Sequence, residues 1–448
     1  MNRRHFLSLL PAGALTLRAQ TPPKILIAGA GLAGLCSAYE LSRQGFPVTV
    51  VEARNRPGGR VETLRAPFSG GLYAEAGAAR IPDTHYLTLY YARQFGLPLE
   101  PFEQPGMHPV SYMNGQRVDP AKSDELSAKF YDPVVETLGQ LPLAGKFPAS
   151  LTTYDKVTLG KALAAKGATP EQIKLMLLGF DPAHGSAAWW LQEDMGLYRK
   201  STLQRVVGGN DKIPYAFAER IKNNILYETF VRDVEQDEKG VRMMVEGKQG
   251  RRVLTGDRLI MALPFTMAKS VMKSAKLSAA KQQLMEQQAY DAVVKVFLQT
   301  SSRFWLKQKL SGFANTDLPI QRLWAGTVNP AVQKGLIHSY LMGQDALRLE
   351  KLNEKVQLEE TLRYGSKVFP ELATAYERGT AKAWHADPFQ LGAFAQFNPG
   401  DMARQLPLNG KMEGRIHFAG EHTSNWTAWM QGALESAHRV VYEINSRL

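Results

Sequence analysis

Four observations in the sequence predict an α/β fold with more than one domain. The chain has 448 residues, which is too long for one compact core, so two or three domains are expected. A strand–helix–strand pattern with a glycine-rich turn begins at Lys24, and a strand-like stretch occupies residues 290–300. Residues 429–444 have apolar side chains at helical spacing, which predicts a core-facing set: Leu434, Val441 and Ile444.

The front of the chain has the pattern of a dinucleotide-binding turn. A short apolar strand over residues 24–28 runs into G-x-G-x-x-G, formed by Gly29, Gly31 and Gly34. These glycines allow a tight turn, close approach of the backbone to a pyrophosphate, and close helix–strand packing. The following helix presents its positive end to the diphosphate. Glu52 ends a second strand and is placed to accept hydrogen bonds from a ribose, so a dinucleotide without a 2′-phosphate is predicted.

The N-terminus predicts an exported protein. Arg3 and Arg4 precede an apolar stretch over residues 6–17, and a polar exit follows. That stretch is too short for a membrane-spanning helix, so residues 1–23 are interpreted as a signal peptide of the twin-arginine type. A disordered basic tail is the alternative. We therefore expect a periplasmic or secreted protein, with no integral membrane segment in its mature form.

Composition excludes several other classes of function. The formal net charge of +12 favours an anionic ligand, but the Lys and Arg residues are scattered rather than gathered into a basic stripe. Nucleic acid is therefore not an expected partner. Cys36 is the only cysteine, which excludes an internal disulfide and a cysteine-based metal cluster. The histidines lack metal-binding spacing, so no metal site is predicted.

Segments further along the chain resemble the flavin-containing amine oxidase family, in the order in which that family has them. The stretch RPGGR, residues 56–60, resembles the extension that lies along the ribityl phosphate there. Four later segments resemble further motifs of the family: VVGGNDKIPYAFAERI (206–221), ETFVRDVEQDEKGVRMMVEG (228–247), GDRLIMALPF (256–265) and IHFAGEHTSNWTAWMQGALESAHRVVYEI (416–444). The resemblance extends from about residue 24 to the C-terminus.

The resemblance implies a Rossmann-type FAD-binding domain with a mixed-sheet substrate domain and a helical insertion. It assigns the discontinuous FAD-binding domain to residues 24–81, 201–265 and 411–448. The helical insertion then covers residues 82–200, and the mixed-sheet substrate-binding domain covers residues 266–410.

FAD is the cofactor that the front motif and the resemblance together imply. The residues assigned to it are Gly29, Gly31, Gly34, Glu52, Ala53, Arg54, Gly59, Arg60, Val231, Gly420, Glu421 and Met430. Monoamine oxidases often hold the flavin covalently through a cysteine near a G-C-Y motif. The corresponding residues 389–400 contain no cysteine, and Cys36 lies on the first helix. We therefore expect FAD to be bound non-covalently.

Lys295 is a candidate catalytic residue. It lies in the strand-like sequence YDAVVKVFLQT among apolar neighbours, where a lysine is costly to bury. In the family, a lysine at this position holds a water near flavin N5. An exposed face of an edge strand is the alternative explanation.

Arg80 is a candidate for binding the substrate. It ends the run of small residues in AEAGAARIP, residues 74–82, and small residues let a backbone approach a ligand that a guanidinium can then bind as a planar anion. In L-amino-acid oxidases the corresponding sequence resembles GAMR or GPMR, so Arg80 falls on the arginine that binds the substrate carboxylate. A solvated arginine paired with Glu75 is the alternative.

Trp426 and Trp429 are candidate walls beside the substrate, with ordinary packing as their alternative.

The resemblance, which within the family is strongest to bacterial L-amino-acid oxidases, implies an activity. We expect FAD-dependent oxidative deamination of L-amino acids by hydride transfer, with dioxygen as the second substrate and hydrogen peroxide as a product. A monoamine or polyamine oxidase and an amino-acid 2-monooxygenase are the alternatives. No general base is assigned, because His184 does not match the family's histidine. The sequence leaves homodimer formation open.

Overall fold

The structure is a computed structural model, and it describes residues 22–138, 147–195, 201–326 and 331–447. The predicted signal peptide lies outside these ranges except for its last two residues, and the predicted domain boundary at residue 200 lies outside them as well. Export and the domain boundaries therefore stay predictions.

The strands are short in the front half of the chain and longer in the second half. In chain order they are β1 Ile25–Ala28, β2 Val48–Val51, β3 Thr63–Leu64, β4 Ala74–Glu75, β5 Ile81–Pro82, β6 Leu99–Pro101, β7 His108–Met113, β8 Gln116–Val118, β9 Leu203–Val206, β10 Ile225–Leu226, β11 Phe230–Gln236, β12 Val241–Gly247, β13 Gly250–Gly256, β14 Arg258–Met261, β15 Ala289–Tyr290, β16 Val293–Thr300, β17 Leu310–Thr316, β18 Arg322–Ala325, β19 Gly335–Met342, β20 Tyr376–Ala383, β21 Ala395–Gln396 and β22 Ile416–Phe418.

The helices cluster between the strands and at the C-terminus. In chain order they are α1 Leu32–Arg43, α2 Tyr86–Gln94, α3 Pro120–Phe130, α4 Asp132–Glu136, α5 Thr152–Asp155, α6 Leu159–Ala164, α7 Pro170–Met176, α8 Ala187–Asp194, α9 Lys212–Arg220, α10 Phe265–Val271, α11 Ala279–Gln287, α12 Gly343–Leu349, α13 Glu354–Val368, α14 Leu372–Ala375, α15 Met402–Asn409 and α16 Met430–Asn445.

A five-stranded parallel sheet has the order β10–β2–β1–β14–β22. Its strand β1 is apolar and buried at every position, because α1, α9 and α16 pack on one face and the β11–β13 sheet with α10 packs on the other. Burial on both faces is what makes strands of a parallel sheet continuously apolar. This arrangement confirms the predicted strand–helix–strand unit. Within residues 228–247, one of the segments that resemble the amine oxidase family, β11 and β12 form an antiparallel hairpin.

The C-terminal helix follows its sequence prediction. α16 begins at Met430, and it buries Leu434, Val441 and Ile444 in the core around the parallel sheet. Its first turn therefore lies at the carboxyl end of that sheet, which is where ligands bind in open α/β sheets.

A seven-stranded mixed sheet has the order β20–β16–β19–β18–β17–β7–β8. Only β17 and β7 pair parallel in it. Two of its strands, β7 and β8, come from the segment predicted as the helical insertion, so the described part of residues 82–200 contains strands as well as helices. The predicted strand around Lys295 is also divided, because Tyr290 pairs with β21 in a separate two-stranded sheet.

The chain thus combines a parallel Rossmann-type sheet, a mixed sheet and a largely helical segment, which confirms the predicted α/β fold class. Within the described ranges, no helix has both the length and the apolarity that crossing a membrane requires.

Candidate active site

A cavity of about 500 Å³ lies between the carboxyl ends of the parallel strands and the inner face of the seven-stranded sheet. Most residues predicted to contact a cofactor reach its wall: Gly29, Gly31, Glu52, Ala53, Gly59, Arg60, Val231, Gly420, Glu421 and Met430. The cavity therefore brings together the front motif, the middle of the chain and the closing segment.

Two helices begin at this cavity without a side-chain cap. The N-cap positions are Gly31 for α1 and Trp429 for α16, and neither residue has a side-chain acceptor for the N–H groups of the first turn. A Cβ placed on Gly31 would meet no atom within 4 Å, so the backbone there faces open space. Uncapped N–H groups at the positive end of a helix form an anion-binding surface. The α1 end therefore fits the diphosphate of a dinucleotide.

Glu52 is held against the glycine turn. One carboxylate oxygen accepts from the Ala30 N–H at 2.8 Å and the other accepts from the Arg54 N–H at 2.9 Å. Burial raises the pKa of Glu52, while these two N–H groups and the nearby Arg54 and Arg56 charges lower it. The carboxylate is thus fixed at the end of β2, where a ribose hydroxyl can donate to its remaining lone pairs.

Two of the predicted cofactor residues lie away from the cavity wall. A Cβ on Gly34 would lie 2.0 Å from the Gly29 carbonyl oxygen, so this glycine permits the close helix–strand packing that the motif predicts. The Arg54 guanidinium pairs with both carboxylate oxygens of Asp387, at 2.5 and 2.6 Å, and stacks 4.6 Å from the ring centre of Phe389. Arg54 thereby links the end of β2 to the 387–389 loop, and a direct contact with FAD stays a prediction.

Arg60 and Glu421 connect the second glycine segment to the closing motif. Their side chains pair at 2.8 Å, and Arg60 also donates to the Ala393 carbonyl at 2.9 Å. The second oxygen of Glu421 accepts from the Ala428 N–H at 2.9 Å. These contacts fix the chain immediately before α16, so the helix end is oriented by charged hydrogen bonds.

Lys295 lies inside the sheet, not at an edge. It belongs to β16, which is flanked by β19 and β20, and its side chain is 2% exposed. Its ammonium donates to the carbonyl oxygens of Glu75 at 2.9 Å and Gly77 at 2.7 Å. Burial lowers the pKa of Lys295 to about 7, with Arg80 and Arg322 acting in the same direction and Glu75 opposing them. Because Lys295 also reaches the cavity wall, the edge-strand alternative is wrong, and its role at the flavin stays a prediction.

Lys295, Tyr340 and Arg322 form a row across three neighbouring strands. Lys295 is paired in register with Tyr340, which is paired with Arg322. The ring centre of Tyr340 lies 5.2 Å from the Lys295 ammonium and 4.5 Å from the Arg322 guanidinium carbon. Burial raises the pKa of Tyr340 although Arg322 and Arg80 lower it. Tyr340 is thus a neutral phenol beside two cations, of which Lys295 reaches the cavity wall and Arg322 does not.

Arg80 reaches the cavity between two indole rings. Its guanidinium carbon lies 4.7 Å from the ring centre of Trp324 and 5.1 Å from that of Trp429. Burial lowers the pKa of Arg80, whereas Tyr340 and two glutamates raise it. The Glu75 carboxylate instead accepts from the Asn210 N–H at 2.8 Å and from Thr63 at 2.9 Å. The alternative of a solvated arginine paired with Glu75 is therefore wrong.

The two candidate tryptophans differ in position. Trp429 reaches the cavity wall, whereas Trp426 does not. Both rings pack edge-on against His85, at 5.1 Å for Trp426 and 4.8 Å for Trp429. Burial lowers the pKa of His85 to about 3, with Arg80 adding to the effect, so this imidazole is neutral over the ordinary pH range. Trp426 thus supports the wall from behind, and substrate contact by either tryptophan stays a prediction.

Several cavity residues carry no signal that a single sequence reveals. Trp324, Tyr340 and Trp384 reach the wall from three separate strands or strand ends. Alternation along a strand indicates which side chains share a face, but pairing between distant strands has no local pattern.

His184 bonds to Asp291 at 2.9 Å and does not reach the cavity wall. The general base therefore stays unassigned.

Comparisons with known proteins agree with this arrangement. Residues 32–445 match the family of flavin containing amine oxidoreductases. YobN of Bacillus subtilis (strain 168), which carries the provisional name of an L-amino-acid oxidase, is 32% identical, and the match covers 95% of each chain. An L-amino-acid oxidase of Siganus canaliculatus is 30% identical over 95% of this chain and 86% of its own.

Solved structures share the fold at lower identity. Cyclohexylamine oxidase from Brevibacterium oxydans IH-35A has a TM-score of 0.80 at 24% identity, covering 95% of this chain and 99% of its own. A putrescine oxidase solved with putrescine has a TM-score of 0.80 at 20% identity, with the same coverage. The family match spans nearly the whole described chain, so the protein belongs to the flavin-containing amine oxidoreductases.

Proposed function

We propose that this protein is an FAD-dependent L-amino-acid oxidase, which converts L-amino acids to 2-oxo acids, ammonia and hydrogen peroxide. One observation carries the proposal: the Arg80 guanidinium lies between two indoles on the wall of the cavity that also holds Lys295 and two uncapped helix ends. A guanidinium in that position suits a planar carboxylate, which every α-amino acid has and a simple amine lacks.

The charges around Arg80 support an anionic substrate. Arg80 and Arg322 both lower the pKa of Lys295, and Arg80 also lowers that of Arg322. Glu193 and Glu103 act in the opposite direction on Arg80. A carboxylate bound in the cavity beside Arg80 and Lys295, which both reach its wall, would offset this mutual repulsion. Tyr340, on the same wall, would add a hydrogen bond from a neutral hydroxyl.

The cofactor in this proposal is FAD, held without a covalent bond. The N-terminus of α1 would bind the diphosphate of FAD, and Glu52 would bind its ribose. The N-terminus of α16, with Arg60 and Glu421, would bind the flavin side of the molecule. Bound FAD supplies a two-electron acceptor that takes hydride from the substrate and is reoxidised by dioxygen. The only cysteine, Cys36, is fully buried and does not reach the cavity, so it offers no covalent link.

The chain's own residues would orient the substrate and exclude water. Arg80 and Tyr340 would fix the carboxylate, which leaves the Cα–H bond as the group turned towards the flavin. Trp324, Trp384 and Trp429 supply apolar walls, and removal of water strengthens each charged hydrogen bond in the cavity. If the substrate amine binds in its neutral form, no protein base is required.

A screen for peroxide release tests the proposal directly. Each of the twenty amino acids is compared with its decarboxylated amine, and we expect L-amino acids to give peroxide and 2-oxo acid at much higher kcat/KM. Preference for the amines would instead establish a monoamine or polyamine oxidase. An amide product with carbon dioxide would establish an amino-acid 2-monooxygenase.

Non-covalent FAD has its own test. We expect acid precipitation of the purified yellow protein to leave the chromophore in the supernatant, with the mass of FAD. Colour that stays in the pellet would show a covalent link.

Export through the twin-arginine route, proposed from Arg3 and Arg4, suits a protein that folds around a cofactor before it leaves the cytoplasm. Fractionation of expressing cells tests this: we expect the flavoprotein outside the cytoplasm, and cytoplasmic retention would contradict it.

A further inference from the structure

The backbone directly before Arg80 is held by side chains from distant parts of the chain. Four consecutive carbonyl oxygens, those of residues 75–78, each accept a hydrogen bond from a side chain. The donors are Lys295 to residue 75 at 2.9 Å, the Trp384 indole to residue 76 at 2.7 Å, Lys295 to residue 77 at 2.7 Å, and the Asn210 amide to residue 78 at 3.0 Å. We call Lys295, Trp384 and Asn210 the carbonyl clamp.

The three donors of the carbonyl clamp are buried and come from separate elements. Lys295 belongs to β16, Trp384 directly follows β20, and Asn210 lies in the turn before α9. Their side chains are 2%, 2% and 0% exposed. Burying a polar side chain costs conformational entropy and loses its hydrogen bonds to water, unless a protein partner replaces them. All three donors have such a partner in the backbone of residues 75–78.

The other side of the same segment is fixed by the backbone. The N–H groups of Ala76 and Ala78 donate to the carbonyls of Glu62 and Arg60, at 2.9 and 3.2 Å. A Cβ on Gly77 would lie 1.8 Å from the Arg60 carbonyl oxygen, so this position accepts no side chain. The small residues before Arg80 therefore allow the segment to lie between neighbouring backbone and the carbonyl clamp.

The chain after Arg80 is also fixed, because Ile81 pairs in register with Gln204 of β9. Arg80 thus stands between two immobilised stretches, and its long side chain projects into the cavity from a rigid base. Rigid support is what a binding group needs, since an error of about 1 Å in its position weakens a charged hydrogen bond sharply.

We propose that Lys295, Trp384 and Asn210 are positioning residues for substrate binding: by holding the carbonyls of residues 75–78, they fix Arg80 where the substrate carboxylate binds. This rests on the proposed function, in which Arg80 is the carboxylate ligand. Lys295 then has two roles. It positions Arg80 through the backbone of residues 75–78, and it also has the predicted role beside the flavin. Two of the three N–H bonds of its ammonium are used by the clamp, which leaves one for the cavity.

Asn210→Asp is the most direct test, because Asn210 does not reach the cavity wall and acts on a ligand only through the segment. The variant keeps the acceptor for the Val206 N–H, loses the donor to the Ala78 carbonyl and places a carboxylate oxygen against that carbonyl. We expect KM for L-phenylalanine to rise about tenfold with kcat changed less than twofold, the size expected for one lost buried hydrogen bond. The constants for 2-phenylethylamine should change less than twofold.

Trp384→Phe is the second variant, in case a buried aspartate prevents folding. It removes the indole N–H and keeps an aromatic wall, and Trp305→Phe, in the core on the opposite face of the seven-stranded sheet, controls for the loss of a buried indole. Phenylpyruvate is a readout without turnover, because it has the carboxylate but no amine. We expect its Kd, from a titration of the flavin absorbance, to rise in parallel with the KM for L-phenylalanine in Trp384→Phe and not in Trp305→Phe.

Two results would overturn the inference, and they are distinguishable. A wild-type enzyme that oxidises 2-phenylethylamine in preference to L-phenylalanine and does not bind phenylpyruvate would overturn both the proposed function and the clamp. A wild-type enzyme that prefers L-phenylalanine, with variants whose melting temperature falls while KM and the phenylpyruvate Kd stay unchanged, would overturn the clamp alone.

Discussion

Among the residues that the structure describes, two buried lysines have the same immediate chemistry and different surroundings. Lys295 and Lys281 are 2% and 3% exposed, and burial lowers the pKa of both to about 7. Each ammonium donates to two backbone carbonyls, and Lys281 does so to Leu408 at 2.6 Å and Asn409 at 3.1 Å. Lys295 reaches the cavity wall, whereas Lys281 does not.

The difference shows that a perturbed pKa does not by itself identify a functional residue. Lys281 satisfies the last carbonyls of α15, where a cation is favoured by the helix dipole, and it stacks 4.2 Å from the ring centre of Phe418. Lys295 makes comparable bonds, but to the segment that ends in Arg80 on the cavity wall. Location beside the cavity, and not burial or titration, separates the two.

The largest expected effect concerns Arg80, which directly follows the backbone segment that Lys295 holds. Arg80→Ala removes the partner of the substrate carboxylate, and breaking a buried charged pair costs about 2–5 kcal/mol. We expect kcat/KM for an L-amino acid to fall about 30- to several-thousand-fold in steady-state assays, while the matching amine is spared. FAD content should stay normal, and equal losses for amino acid and amine would make Arg80 structural.

An effect of intermediate size is expected when each of the two lysines is replaced by methionine. Lys295→Met should slow flavin reduction or reoxidation about 10- to 100-fold in stopped-flow measurements, since a cavity group and two segment bonds are lost, without preventing FAD binding. Lys281→Met is the matched variant. It should lower the free energy of unfolding by about 1–3 kcal/mol, because the Asn409 carbonyl loses its Lys281 donor and the Leu408 carbonyl keeps only the Lys411 N–H, and leave kcat unchanged. Equal kinetics in the two variants would remove Lys295 from the active site.

The smallest effect is one in which the two lysines should behave alike. Each lysine has a pKa near 7 in the folded protein and near 10.5 in the unfolded chain. Below about pH 7 it is protonated in both states. Between pH 7 and 10.5 it is protonated mainly in the unfolded chain, which therefore binds more protons than the folded protein. Stability contributed by each lysine site therefore rises with pH over that window. We expect the melting temperature of each Met variant to depend less steeply on pH between 7 and 10 than that of the wild type. An unchanged slope would show that the lysine stays charged.

The sequence predicted the parts of the site whose signal is local. The glycine turn and Glu52 follow from spacing within one strand–helix–strand unit, and α16 follows from apolar residues at helical spacing. The interest in Arg80 comes from the resemblance of a short motif, and its role stays a prediction. Tyr340 and Trp384 were not predicted, because they meet Lys295 and residue 76 through pairing between strands far apart in the chain. Such pairing depends on tertiary contacts that no local pattern records.

The fold prediction has the same limit. Local alternation indicated a strand around Lys295, but the break between β15 and β16 depends on β21, which pairs with Tyr290 from more than a hundred residues away. Likewise β7 joins the seven-stranded sheet by pairing with β17, although the segment around it is mostly helical. The strand–helix–strand unit was predicted well because its contacts are sequential.

The two uncapped helices make the cofactor part of the folding equilibrium. The N-cap residues of α1 and α16 give no side-chain hydrogen bond to the first N–H groups, and a bound cofactor would satisfy these groups. A ligand that binds only the native state adds about 2.7 kcal/mol of stability at a hundredfold excess over its Kd. The flavin would then govern how long the enzyme survives heat and proteases as well as what it oxidises, so cellular flavin supply would set the amount of enzyme that persists.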